Sequence, residues 1–269
     1  MHMTHLATAL VTGGGSGIGR ELCKLFARDG FRLVIVSLLE AELRSVKEEL
    51  LTQYPMAEVV TLQKDLSTPS AGEEVYAELK SLHIQVDVLV NNAGFGLWEE
   101  HIKLPVARMK AMLQLNMVTL TTLCSLFGKD MADRNQGRIL NIGSTTSFHA
   151  MPYIAAYSAS KHYVVAFSAA LAEEMRPRGV IVSCVCPGTT DTQFLSVAGV
   201  QSSARFGSVG HITQKLAMSP RMVAEAAYKG LMAGKHRTIP GLPNRLHYVA
   251  SRLLPHQVFF SALGRVFHN

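Results

Sequence analysis

Hydrophobic residues along this chain fall into short continuous runs, and most runs are followed by a stretch in which apolar residues recur every third or fourth position. A continuous apolar run is typical of a parallel strand that is buried on both faces. The recurring pattern is typical of a helix that packs one face against a core. The runs predict strands at residues 6–11, 32–37, 59–62, 87–90, 138–143 and 180–185, with a last edge strand at 238–240.

The stretches between these runs predict helices that alternate with the strands. They lie at residues 18–30, 41–51, 71–82, 105–131, 157–175 and 220–233. Strict alternation of this kind predicts an α/β fold, a three-layer doubly wound (Rossmann) parallel sheet. No linker, repeat or low-complexity segment interrupts the pattern, so we expect a single domain over residues 1–243.

Two stretches depart from the alternation. Residues from about 193 to 218 are rich in serine, glycine and small apolar residues, and we expect them to cover the crevice as a lid. Residues 244–269 form an extension in which a helix could begin near Pro255 and carry an apolar stripe. We expect this extension to pack on the domain or on a partner subunit; the alternative is a peripheral membrane contact.

Composition excludes several classes of protein. With 48% hydrophobic and 17% charged residues, the chain can bury a large core, which argues against disorder. No apolar run approaches the roughly 20 residues of a membrane span, and the N-terminus lacks the features of a signal peptide. The net charge of +6 is not concentrated in one run, so we expect no nucleic-acid partner.

The four cysteines bear on compartment and metal binding. Cys23, Cys124, Cys184 and Cys186 form no C-x-x-C pair. Free buried thiols in a reducing cytoplasm are the expectation, and no metal site is predicted.

A glycine-rich segment follows the first strand and opens the first helix. It contains Gly13, Gly15, Ser16, Gly17, Ile18 and Gly19. Glycines let a backbone approach a pyrophosphate, and a helix N-terminus presents free N–H groups to it. A glycine-rich loop can also be only a tight turn, but its place between strand and helix predicts a dinucleotide site.

The end of the second strand bears on the choice of cofactor. An acidic residue there favours NAD, whereas a following arginine favours NADP. This chain has Ser37 followed by two leucines, and Arg20 and Arg44 could lie within reach of a phosphate. These features slightly favour NADP over NAD.

Other candidate cofactor residues follow the carboxyl ends of later strands, where open α/β sheets bind ligands. Asp65 could contact adenine or cap the next helix. The amide and small residues after the fourth strand could line the crevice or only stabilise a turn. The full set is Asp65, Leu66, Asn92, Ala93, Gly94, Pro187, Gly188, Thr190 and Thr192.

Tyr157 and Lys161 lie one helical turn apart and would project from the same face. A neighbouring ammonium favours the phenolate and would lower the pKa of the tyrosine toward neutrality. The same spacing also occurs on solvated helix faces. The fifth strand leads to Ser144, and Asn116 lies mid-helix, where asparagine is mildly unfavourable unless it has a role or is simply at the surface.

Together these motifs make the chain resemble the short-chain dehydrogenase/reductase family, in its typical single-domain branch. The resemblance is carried by the glycine segment from Thr12, by Asn-Asn-Ala-Gly at 91–94, by Ser144, by Tyr157 with Lys161, and by Pro187-Gly188. It implies that Tyr157 is the acid/base and that Lys161 lowers its pKa and holds the ribose. Ser144 would orient the carbonyl, and Asn116 would belong to a water-mediated proton relay.

The resemblance also implies that Thr192 bonds the nicotinamide carboxamide and that Asp65 contacts adenine. The departure from the family pattern is at Ser37, which leaves the choice between NAD and NADP open. The implied partner chain is a second copy of this one, in a homodimer or homotetramer.

The expected function is hydride transfer between NAD(P)(H) and the carbonyl or alcohol carbon of a fairly apolar small molecule. Leu97, Trp98, Met151, Phe194, Leu195 and Phe206 are the apolar residues expected near the crevice. One alternative is a non-catalytic regulatory or scaffold protein that binds a nucleotide with the same fold. A second is an epimerase or dehydratase of the extended branch, whose glycine spacing and length do not match.

Overall fold

The computed structural model describes residues 6–190 and 217–253. Within these residues, seven strands form one parallel sheet. They are β1 (Thr8–Thr12), β2 (Arg32–Ser37), β3 (Val59–Gln63), β4 (Val88–Asn91), β5 (Gly137–Ile142), β6 (Val180–Val185) and β7 (Arg237–Thr238). The order across the sheet is β3-β2-β1-β4-β5-β6-β7.

The order in which strands are added to the sheet reverses between β1 and β4. Leu10 of β1 pairs with Val34 of β2 on one side and with Leu89 of β4 on the other. The chain therefore runs outward from β1 to β3 and then returns to build the second half of the sheet. The crevice for a ligand in such a sheet lies at the carboxyl ends of the strands at this switch point.

Eight α-helices of the described chain flank the sheet. They are α1 (Gly17–Arg28), α2 (Glu40–Gln53), α3 (Ala71–Ser81), α4 (Val106–Leu113), α5 (Leu120–Asp133), α6 (Ala155–Met175), α7 (Pro220–Met232) and α8 (Leu242–Leu253). The fold class predicted from the alternation of runs is confirmed, and the predicted edge strand is present as β7.

Each face of the sheet carries its own core. Phe26 of α1 and Val46 of α2 pack with residues of α7 against one face. Val75 of α3, Phe127 of α5 and Val164 of α6 pack against the other. All five side chains are almost completely buried. The strands are apolar on both faces because both faces are covered, as the continuous runs predicted.

The long helix predicted at 105–131 is observed as one continuous helix that changes its hydrogen-bonding pattern in the middle. A π-helical segment, Gln114–Thr119, joins α4 to α5. The continuous helix Val106–Asp133 is long and apolar enough to cross a membrane by length and composition, which corrects the expectation that no stretch approaches a span. Its residues Met112 and Phe127 are buried within the fold, so we interpret it as a core helix.

The C-terminal extension begins with a helix that the sequence did not predict. The position near Pro255 where a helix is expected lies outside the described residues, as do residues 191–216, which include most of the expected lid. The helix present is α8. Its apolar residues Leu242, Leu246, Val249 and Leu253 are exposed, and its Tyr248 faces the domain. The apolar side chains of α8 therefore do not mark its packed face, and the stripe predicted near Pro255 lies outside the described residues.

Candidate active site

Tyr157, Ser144 and Lys161 lie together at the carboxyl end of β5. Tyr157 is in the first turn of α6, and Lys161 is one turn later. The side-chain hydroxyls of Tyr157 and Ser144 are hydrogen-bonded. The Lys161 Nζ lies 5.8 Å from the centre of the Tyr157 ring and donates to the carbonyl of Ile142 at 2.8 Å. The structure therefore brings together three of the four predicted catalytic residues.

Burial governs the ionisation of this pair. Desolvation raises the pKa of Tyr157 to about 12, and the hydrogen bond with Ser144 acts in the opposite direction. Burial also lowers the pKa of Lys161 to about 8. The expected lowering of the tyrosine pKa is thus wrong for the protein alone, because the cost of burying a phenolate outweighs the effect of the hydrogen bond with Ser144. Tyr157 is a protonated phenol at neutral pH.

Asn116 occupies the π-helical segment and faces the loop after β4. Its Oδ1 accepts from the backbone N–H of Phe95 at 3.2 Å, and its Nδ2 donates to the Phe95 carbonyl at 3.0 Å and to the Ser160 hydroxyl at 3.3 Å. The side chain is 1% exposed, which excludes the surface interpretation. A π-helical turn often marks a functional position, and here it aims an amide at the site.

The missing side chain of Gly94 leaves a space between this amide and Lys161. A Cβ at Gly94 would lie 2.9 Å from Asn116 Oδ1 and 3.7 Å from Lys161 Nζ. Asn116 Oδ1 and Lys161 Nζ therefore both lie close to the same point beside the crevice. A side chain at this position would fill the space between them.

The glycine loop is held in place by side chains from β1 and from the loop after β4. The Thr12 hydroxyl accepts from the N–H groups of Asn92 and Ala93, both at 3.0 Å. The Asn92 amide donates to the carbonyls of Thr12 and Gly13, both at 3.0 Å. The side chain of Asn92 therefore stabilises the turn, as one of its two sequence interpretations proposed.

The start of α1 fits an anion such as a pyrophosphate. The helix begins at Gly17, and its N-cap residue Ser16 makes no side-chain capping hydrogen bond. The first N–H groups of a helix have no intrahelical partner and attract negative charge. A Cβ at Gly19 would lie 2.3 Å from the Gly13 carbonyl oxygen, so only glycine allows the loop to approach α1 this closely.

The end of β2 meets the glycine loop beside a carboxylate. The Ser37 hydroxyl donates to Glu42 Oε2 at 2.8 Å. A Cβ at Gly15 would lie 2.7 Å from the Cβ of Glu42 and 3.1 Å from the Ser37 hydroxyl. Sequence reasoning missed Glu42, because it belongs to α2 rather than to the end of the strand.

Asp65, predicted to contact adenine, and Leu66, predicted to bind the cofactor, follow β3. Asp65 Oδ1 accepts from the backbone N–H of Ser67 at 2.9 Å and from its hydroxyl at 2.6 Å. The Leu66 side chain is buried in the core, and its carbonyl accepts from the Thr119 hydroxyl at 2.8 Å. Asp65 therefore stabilises a local turn and does not cap the next helix, α3, whose N-cap residue is Ser70, while Leu66 lies in the core.

The loop after β6 lies beside the segment that follows Ser144. The Pro187 carbonyl accepts from the backbone N–H of Thr145 at 2.9 Å, and the Thr190 hydroxyl donates to the Gly188 carbonyl at 3.1 Å. A Cβ at Gly188 would lie 2.4 Å from Asn244 of α8. Thr192, the remaining predicted cofactor residue, lies outside the described residues.

Helix α8 also packs against the segment that follows Ser144. The rings of Tyr248 and Phe148 lie 4.8 Å apart, and the rings of His247 and His149 are also 4.8 Å apart. The Arg237 guanidinium of β7 donates to the Tyr248 hydroxyl at 3.0 Å. Sequence reasoning missed this contact, since nothing local links residues about 100 positions apart.

An apolar cluster surrounds Tyr157. Leu97, Met112 and Ile154 are buried with Tyr157, and Trp98 and Met151 are among the partly buried residues packed against them. The predicted positions Leu97, Trp98 and Met151 therefore lie together. Phe194, Leu195 and Phe206 lie outside the described residues.

Comparison with known proteins identifies the family. Residues 7–201 match the short chain dehydrogenase family. The chain belongs to this family. The match covers more than half of the chain and includes the glycine loop, Asn116, Ser144, Tyr157 and Lys161.

Individual family members show the same relationship. The chain is 33% identical over 218 residues to a dehydrogenase/reductase SDR family protein 7-like from Drosophila melanogaster, which covers 80% of this chain and 67% of that protein. It is 29% identical over 266 residues to the probable oxidoreductase EphD of Mycobacterium tuberculosis; the match covers 95% of this chain and 44% of EphD, so the chain spans less than half of that relative's length.

A solved structure of another short-chain dehydrogenase shares the architecture of this chain. The enzyme from Sphingobium yanoikuyae, in complex with NADPH, superposes with a TM-score of 0.79 at 27% identity and with 95% coverage of both chains. The fold and the glycine loop described above therefore belong to an architecture that holds a nicotinamide dinucleotide in that relative.

Proposed function

We propose that this chain is an NAD(P)(H)-dependent oxidoreductase that interconverts a carbonyl and an alcohol, with Tyr157 as the acid/base. The observation that carries the proposal is the hydrogen-bonded pair of Tyr157 and Ser144, with Lys161 one turn away. These three residues lie at the same edge of the sheet as a glycine loop that fits a pyrophosphate. The family relationship supports the same reaction class.

The glycine loop and the start of α1 would hold a nicotinamide dinucleotide, which would supply or accept the hydride when bound. The chain's own residues bind the oxygen of the substrate and control its proton. Ser144 and Tyr157 present two hydroxyls, side by side, that can donate hydrogen bonds to a carbonyl oxygen. As that oxygen gains negative charge, Tyr157 Oη transfers its proton to it.

Lys161 stabilises the phenolate that remains on Tyr157 after this transfer. Its ammonium lies in a buried environment, where the attraction between opposite charges is stronger than in water. The proton would be replaced from a water held between Asn116 Oδ1 and Lys161 Nζ, which both lie within 4 Å of the same point beside Gly94. One water molecule could bridge such a gap, which supports the relay role proposed for Asn116.

The environment of Tyr157 supports an apolar substrate. Leu97, Ile154 and the partly buried Trp98 and Met151 surround the tyrosine with hydrocarbon and aromatic surface. Burying apolar substrate surface there is favourable by roughly 25 cal/mol per Å². We therefore propose a ketone or secondary alcohol with an apolar body rather than a sugar.

A binding and turnover screen tests this function. We expect NADH or NADPH to bind in titration calorimetry, and a panel of ketones, steroids, ketoacyl thioesters and sugars to show turnover with the apolar ketones. Tight cofactor binding without turnover on any carbonyl or alcohol would favour a non-catalytic nucleotide-binding protein. No cofactor binding would contradict both.

We further propose that the chain is a cytoplasmic homo-oligomer. All four thiols are free and buried, which suits a reducing compartment. The continuous helix Val106–Asp133 leaves Val118 half exposed on its outer face, and pairing of this helix with a second copy would cover it. Analytical ultracentrifugation is expected to show a dimer or tetramer; a monomer at micromolar concentration would contradict the proposal.

A further inference from the structure

The adenosine end of the proposed cofactor site contains a carboxylate that does not come from the end of β2. Glu42 lies in the first turn of α2, and its Oε2 accepts from the Ser37 hydroxyl at 2.8 Å. Ser37 is 6% exposed, so its hydroxyl holds this carboxylate in one direction. An acidic residue at a helix N-terminus also stabilises the helix, but that role does not require the bond with Ser37.

Glu42 also touches the glycine loop. The contact is with Gly15. A Cβ at Gly15 would lie 2.8 Å from Glu42 Oε2, so the missing side chain leaves room for the carboxylate. In a doubly wound fold, the adenosine ribose lies between the glycine loop and the end of the second strand, where an acidic side chain accepts from the ribose 2′-hydroxyl. The carboxylate of Glu42 is therefore placed where such a side chain acts.

The arginines that favoured NADP are engaged elsewhere. Arg20 donates to Glu49 at 2.6 Å and to Ser45 at 3.2 Å. Arg44 pairs with Glu40 at 3.1 Å on the outer side of α2. A 2′-phosphate at the end of β2 would thus face a carboxylate, and binding it would require these arginines to leave their partners.

We propose that Glu42, held by Ser37, makes this protein selective for NAD(H) over NADP(H). The carboxylate accepts a hydrogen bond from the ribose 2′-hydroxyl and repels a 2′-phosphate. This reverses the slight preference for NADP that Ser37 and the two arginines suggested in the sequence. The inference rests on the proposed function, since it requires that a nicotinamide dinucleotide occupies the site.

Titration calorimetry of the full chain with NADH and with NADPH tests the inference without any substrate. We expect NADH to bind at least about tenfold tighter than NADPH, since a hydrogen bond to a charged group and a like-charge repulsion both act at the ribose. In Glu42→Gln, which keeps the shape and removes the charge, the preference should shrink to within about threefold, mainly through stronger NADPH binding.

Glu40→Gln is the matched control, because it removes the same charge two positions away on the same helix from a side chain that pairs with Arg44 instead. It should leave the ratio of the two affinities unchanged. An NADPH affinity equal to or above that of NADH in the parent protein would overturn the inference and leave the proposed function standing. An unchanged ratio in Glu42→Gln would overturn it as well, and binding of neither dinucleotide would overturn the proposed function together with it.

Discussion

Replacing Tyr157 with phenylalanine is expected to reduce turnover by about 1,000-fold or more, because the phenol is the group that transfers the proton and general acid catalysis contributes about that much. Cofactor affinity should change little, since the ring and its apolar surroundings remain. The structure should also tolerate the change, because the lost hydrogen bond with Ser144 is worth only about 1 kcal/mol. Steady-state kinetics with an apolar ketone and calorimetry with the cofactor measure the two effects separately.

Tyr163→Phe is the matched control for this variant. Tyr163 lies on the same helix, and its hydroxyl bonds to the Thr121 hydroxyl at 2.8 Å, away from Ser144. It should keep a turnover within about threefold of the parent while losing a hydrogen bond of similar strength. Comparable turnover in Tyr157→Phe and in the parent would rule out the proposed mechanism.

Replacing Lys161 with methionine is expected to have two separable effects. Turnover should fall by about 100-fold, because the phenolate that forms on Tyr157 loses its neighbouring charge. The pH dependence of stability should change as well. Burial lowers the pKa of Lys161 from 10.5 to about 8, so the folded protein releases this proton before the unfolded chain does.

The direction of the second effect follows from proton binding. Below pH 8 the lysine is charged in both states, and its buried charge destabilises the folded protein. Between pH 8 and 10.5 the unfolded chain binds more protons than the folded one, so the free energy of unfolding rises with pH. Above pH 10.5 the lysine is neutral in both states, so burial of its charge no longer destabilises the folded protein. The parent protein should therefore gain about 2.5 kcal/mol relative to Lys161→Met between pH 7 and pH 10.

Urea unfolding at several pH values measures this difference. Both proteins share every other titrating group, so the difference between them isolates Lys161. Lys129→Met serves as the control, because Lys129 is an exposed lysine paired with Asp133 and should show no such gain. Parallel pH profiles for the parent and Lys161→Met would show that the lysine is not a buried cation.

The strands, the helices and the fold class were predictable because they depend on local periodicity. Apolar runs such as that of β2 report burial on both faces, and this information is contained in neighbouring residues. The site residues Ser144, Tyr157 and Lys161 were predictable for a related reason. Each lies at a strand end or on a helix face whose position follows from those elements, and their order and spacing match one family.

The face of α8 that packs on the domain was not predictable in the same way. The apolar stripe of α8 is exposed, whereas Tyr248 packs on Phe148 through a contact that spans about 100 residues of sequence. Leu242, Leu246 and Val249 recur at helical spacing along α8, a local pattern that did not lead to a predicted helix here. It does not indicate which side of that helix meets the domain, because that depends on the shape of a distant surface.

By itself, the sequence determined the sheet, the glycine loop and the group of Ser144, Tyr157 and Lys161 that the structure brings together at the end of β5. The tertiary structure decided the electrostatics. Burial raises the pKa of Tyr157 where the sequence suggested that Lys161 would lower it. The approach of Glu42 to Ser37 and Gly15 places a carboxylate where the sequence showed none. Both outcomes depend on desolvation and on distances between charges, which are set only when the helices pack onto the sheet.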